Sequence, residues 1–101
     1  MMPIPNETRR RVISAFRFHS GRSPAASAEL LTAFAVERGL SDPRRPPPGT
    51  ALERWATETK APLWAVQAAA SWLDANDAVS DPEEQAAVAA VLEQIDGGGE
   101  G

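Results

Sequence analysis

Cysteine is absent from this chain, and histidine and lysine occur once each, at His19 and Lys60. Without thiols there is no disulfide and no thiolate metal site. Without a second histidine, a His-based structural zinc or a metalloprotease site lacks ligands. No G-x-S-x-G is present and no nucleophile–base pair can be assembled from recognisable parts, so the chain is expected to be non-enzymatic and to need no cofactor. No apolar run approaches the ~20 residues of a membrane span. Met1-Met2-Pro3-Ile4-Pro5-Asn6-Glu7 lacks a charged region followed by an apolar stretch, so it does not read as a signal peptide. A cytoplasmic protein with no membrane partner is expected. Strand signals are nearly missing as well, because no stretch alternates apolar and polar residues with β-branched enrichment.

What is present is charge, unevenly divided. Residues 1–45 carry eight arginines against four acids, and residues 46–101 carry Arg54 and Lys60 against ten acids. Between the halves lies a stiff segment, Pro43-Arg44-Arg45-Pro46-Pro47-Pro48-Gly49. Consecutive prolines favour polyproline II and forbid helix. The preference for arginine over lysine and the nineteen alanines suggest GC-rich coding, and with it a bacterial or phage origin.

Helical patterning predicts an all-α domain, a compact bundle of four to five short helices over 7–19, 24–38, 51–60, 62–75 and 82–95. The single domain spans residues 1–96, and the glycine-rich 97–101 is expected to be a disordered tail. Asn6 is a candidate N-cap for the first helix, and Ser23-Pro24 places a cap and an N1 proline at the second. Gly39 suits a left-handed C′ position with Leu40 folding back. Thr50 and Glu53 have capping-box spacing, Asn76 is a candidate left-handed cap, and Asp81-Pro82-Glu83-Glu84 is the strongest helix start in the chain. The expected core comprises Val12, Ile13 and Phe16; Leu30, Leu31 and Phe34; Leu52 and Trp55; Val66, Ala69, Trp72 and Leu73; and Val88, Leu92 and Ile95.

Arg9, Arg10, Arg11, Arg17 and Arg22 form the basic cluster, with Phe18 between them. Guanidinium forks suit carboxylates and phosphates, and an aromatic among them can stack on a base. Positive charge at a helix N-terminus costs some tenths of a kcal/mol, which hints that these arginines serve something besides the helix. Leu63 and Trp64 fall off the core stripe of the fourth helix and are candidate protein-interface residues. Asp74, Asn76, Asp77, Asp81, Glu83 and Glu84 crowd one corner, but a calcium-loop alignment puts Val79 at the required glycine and Gln85 at the required glutamate. Helix capping accounts for that corner, and no metal site is expected. Pro43-Arg44-Arg45-Pro46 matches P-x-x-P in form and is read as a rigid interhelix loop.

Leu52 to Ala69 resembles a helix-turn-helix, with Ala56 as the small residue, a break near Lys60 and Val66 as the buried β-branched residue. The segment Trp72 to Val79 is similar to the end of a winged-helix recognition helix. The resemblance implies base reading from Pro62, Leu63, Trp64, Gln67 and Ala68, of which only Gln67 can hydrogen-bond a base edge. No Lys or Arg follows Lys60, so phosphate contacts would come from the N-terminal arginines. The leading expectation is a small regulatory or adaptor module that binds another protein, with a homodimer as one form. The alternatives are a helix-turn-helix-like DNA-binding regulator and a phage or plasmid accessory protein that inhibits a host factor.

Overall fold

The computed structural model describes residues 4–58 and 60–99, with side chains described through Gln94. Five helices form: α1 (Asn6–Ser20), α2 (Pro24–Glu37), α3 (Gly49–Thr57), α4 (Leu63–Ala75) and α5 (Pro82–Gly99), with no strand among the described residues. The expected all-α bundle is therefore what the chain builds. No helix is long and apolar enough to cross a membrane among the described residues.

Several helix ends follow the capping chemistry. Ser23 accepts the Ala26 N–H, and Asp81 Oδ1 accepts the Glu83 N–H at 3.1 Å. Gly39 is left-handed (φ 74°), and the Leu40 N–H bonds the Ala35 carbonyl at 2.8 Å, closing a Schellman turn. Three ends differ from expectation. Pro5, whose φ is already fixed, occupies the N-cap of α1, so Asn6 is its first helical residue. α3 begins at Gly49 after Pro48, two residues too early for a Thr50–Glu53 capping box. At the end of α4 the left-handed residue is Asp77 (φ 49°), and Asn76 instead donates its side-chain N–H to the Trp72 carbonyl. The α5 helix continues to Gly99. Ile95's side chain, expected in the core, and residues 100 and 101 of the glycine-rich tail lie outside the described residues.

The core is organised around α4, which packs on α1, α2 and α5. Ala65, Ala68, Ala69 and Ala70 are buried on it beside Val66 and Leu73. Methyl side chains let neighbouring axes approach toward the close end of the usual ~8–10 Å spacing. Val12, Ile13 and Phe16 from α1, Leu31 from α2, Leu52 from α3 and Val88 and Val91 from α5 complete the interior. Each such side chain, fully buried, contributes about 1.5–3 kcal/mol relative to exposure. Phe16 meets Trp72 edge to face at 5.2 Å.

On α2 the buried face is Ala28, Leu31, Thr32 and Ala35, rotated from the expected Leu30-Leu31-Phe34 stripe. The alanine-lined face goes inward because it must lie against α4. Leu30 and Phe34 are left partly buried, as are Trp55, Trp72 and Leu92. The Arg38 guanidinium covers the Phe34 ring at 4.6 Å.

The proline segment does not separate two bodies. A radius of gyration of 12.3 Å matches the ~13 Å expected of a single 100-residue globule. The segment leaves the C-terminus of α2 and returns to its start, where Gly49 sits against Pro24 and Ala25. Extended chain at about 3.1 Å per residue readily covers the ~21 Å length of that helix. A Cβ on Gly49 would stand 2.7 Å from the Ala25 nitrogen, so this approach requires glycine.

α3 and α4 follow one another as helix, turn, helix, but their backbones do not lie close together among the described residues. α3 lies on α1 and α2. The two meet through the Trp55 and Trp64 rings, edge to face at 6.2 Å. α4 packs on three helices and keeps Leu63, Gln67, Ser71 and Asp74 at least partly exposed along one side.

Candidate protein-interaction surface

The five arginines of the basic cluster go to different places. Arg9 shares the helical face of Val12, Ile13 and Phe16 and is only 8% exposed. Its Nε donates to the Ile4 carbonyl at 3.1 Å and its Nη1 to the Ala61 carbonyl at 2.6 Å. Both acceptors belong to buried residues, and the guanidinium ties the start of α1 to the α3–α4 turn. Arg9 therefore leaves the contact set: its hydrogen bonds are spent inside the protein.

Arg11 lies 3.5 Å from Glu7 and 3.5 Å from Glu83, and Arg17 lies 3.6 Å from Glu53. His19 Nε2 is 3.5 Å from Glu84 Oε1. Three of these pairs join the basic half to the acidic half. The arginine pairs are partly exposed, so each contributes a fraction of a kcal/mol and serves mainly to neutralise that flank of α1. Arg10 and Arg22 make no ion pair among the described residues. Arg10 borders a shallow hollow with Ser14, Ala56 and Glu84, and Arg22 is exposed in the α1–α2 turn. Phe18 is 79% exposed, with the His19 ring edge to face against it at 5.0 Å.

Leu63 and Trp64 part company. Leu63 is 45% exposed, whereas Trp64 is half-buried, with Trp55 at its edge and the Arg44 guanidinium 4.6 Å over its ring. Its ring face is covered by the chain's own proline segment. Of the other positions a recognition helix would use, Ala68 is fully buried, and Pro62 and Gln67 are partly buried.

The acidic corner is organised by backbone chemistry. Asp81 caps α5, Asn76 caps α4, and Asp77 takes the left-handed turn between them. Among the described residues no three side chains converge as a metal site. Asp74 and Asp77, without ion pairs among the described residues, rim a groove of about 210 Å³ between the end of α4 and α5. Leu73, Val79, Val88 and Leu92 form its apolar lining. Sequence reading missed this groove, since it depends on how α5 lies across the end of α4. A wider hollow lies between α2 and the proline segment, lined by Ala33, Val36, Pro43 and Pro46.

Comparison with protein-family models, with curated proteins and with solved structures found no match to this chain.

Proposed function

We propose that this chain is a cytoplasmic, non-enzymatic module that regulates or adapts by binding another protein through the exposed end of α1. The observation that carries the reading is Phe18, 79% exposed at the end of α1, four residues before an exposed Arg22 that makes no ion pair among the described residues. Aromatic and arginine side chains dominate binding energy at protein interfaces, because a ring desolvated in a pocket is worth far more than the polar contacts around it. Burying Phe18 would recover about 1.5–3 kcal/mol that the free chain forgoes. The neutralised flank carrying Arg11 and Arg17 suits a contact that does not depend on a strong positive field.

The test is site-specific photocrosslinking in the cells that make the protein, with a benzophenone amino acid in place of Phe18 and, separately, in place of the exposed Thr50. A discrete adduct from position 18 and none from position 50 is the expected result. No adduct from position 18, or equal labelling from both, overturns the reading.

A further inference from the structure

We propose that the partner is a second copy of this chain, whose Phe18 enters the groove between the end of α4 and α5, with its Arg22 against Asp74 and Asp77. The proposal rests on Phe18 being a binding anchor and adds the identity of what receives it. An apolar cavity of about 150 Å³ accepts a benzene molecule, so a groove of this size holds one phenyl ring. The groove measures about 210 Å³ and is lined by Leu73, Val79, Val88 and Leu92 together with Gln85, with two carboxylates at its rim that have no ion-pair partner among the described residues. The exposed ring stands four residues before Arg22, an exposed guanidinium without an ion pair among the described residues. One chain thus carries an apolar knob with a positive charge four residues on, and a part-apolar socket with a negative rim.

Phe18 does not fill the groove of its own chain, since it is 79% exposed there. Knob and socket are different patches, so the contact is closed only if both knobs seat at once across a two-fold axis. Otherwise it continues head to tail into rings or chains. The buried ring supplies the affinity, while the rim charges orient the approach and exclude reversed docking.

The experiment is analytical ultracentrifugation of the full chain from about 10 μM to about 1 mM, a range covering the affinities of small, single-anchor interfaces. The average mass should rise with concentration. Phe18→Ala removes the knob, and Ala89→Arg, at an exposed position lining the groove, blocks the socket. Each variant should weaken association at least about tenfold, the effect of losing a hot-spot contact. Mixed one to one, the two variants should re-associate into dimers and nothing larger, because the Ala89→Arg chain retains its knob and the Phe18→Ala chain its socket. Both positions are exposed, and thermal melts of the separate variants confirm that they fold. A wild-type chain monomeric across the range overturns self-association, while crosslinking from position 18 to a different protein would leave the binding-module reading standing. Association indifferent to either variant, or no rescue on mixing, overturns the knob-and-socket interface.

Discussion

Arg9 donates through Nη1 to the carbonyl of Ala61, 52 positions away, at 2.6 Å, while its Nε holds the Ile4 carbonyl. One buried side chain thereby connects the N-terminal segment, the first helix and the turn leading to the central helix. Hydrogen bonds from charged donors contribute about 1.5–3 kcal/mol each, and removal leaves two buried carbonyls unpaired. Arg9→Met should therefore lower stability by about 3 kcal/mol and the thermal midpoint by about 10 °C or more. Arg9→Lys keeps the charge but loses the fork and should fall between the two. Arg10→Met, one residue along and without an ion pair among the described residues, should change the midpoint little. Equal effects at positions 9 and 10 would remove the structural role assigned to Arg9.

Gly49 and Gly21 permit a comparison of two glycine requirements. Gly21 is left-handed (φ 64°) with open space where a methyl would stand, while Gly49 has ordinary dihedrals and no space. Gly21→Ala should cost about 1 kcal/mol from backbone strain. Gly49→Ala presses on the backbone of Ala25 and Pro24 and should cost about 1–3 kcal/mol, because the start of α3 must move off α2. Urea unfolding, with the slope unchanged, gives both values. The assignment of Gly49 as a close-approach residue requires it to be the more sensitive site.

Helix content was legible in the sequence because capping chemistry is local. Ser23-Pro24, Gly39 and Asp81-Pro82 each act within a few residues and behave as their types dictate. The buried face of α2 was not legible, because Leu30 and Phe34 are larger than the alanines that displace them inward. Only the neighbouring helix makes the small face preferable. The role of Arg9 did leave a signal, since positions 9, 12, 13 and 16 share one helical face. The run Arg9-Arg10-Arg11 drew attention to composition instead of to that spacing. Pairing of Arg17 with Glu53 depends on how α3 crosses α1, which no local pattern encodes.

The ion pairs that join the two halves should be weak individually. A double-mutant cycle on Arg17→Ala and Glu53→Ala should return a coupling of about 0.2–1 kcal/mol that shrinks as salt is raised, as for exposed pairs. The Arg11–Glu83 cycle should behave alike, since its partners are similarly exposed. A coupling above about 2 kcal/mol would mean that these pairs are desolvated and structural, as Arg9 is.

Nucleic-acid binding is the function on which the charge split bears most directly. Duplex affinity scales with the number of phosphates neutralised, and even non-specific binders hold DNA at ~50 mM salt. Arg9 is buried, Arg11 and Arg17 face carboxylates, and Glu83 and Glu84 of α5 lie against the same helix. Arg10 and Arg22 remain on that arm without ion pairs among the described residues. The helix that would enter the major groove lies against three others, with Ala68 at 0% exposure. A mobility-shift titration with generic duplex at ~50 mM salt should therefore show no retarded species. The wild-type chain and an Arg10→Ala, Arg22→Ala variant should give the same result. A shift present in the wild type and lost in that variant would restore phosphate contact as the work of the basic arm, and the protein-binding reading would have to share α1 with it.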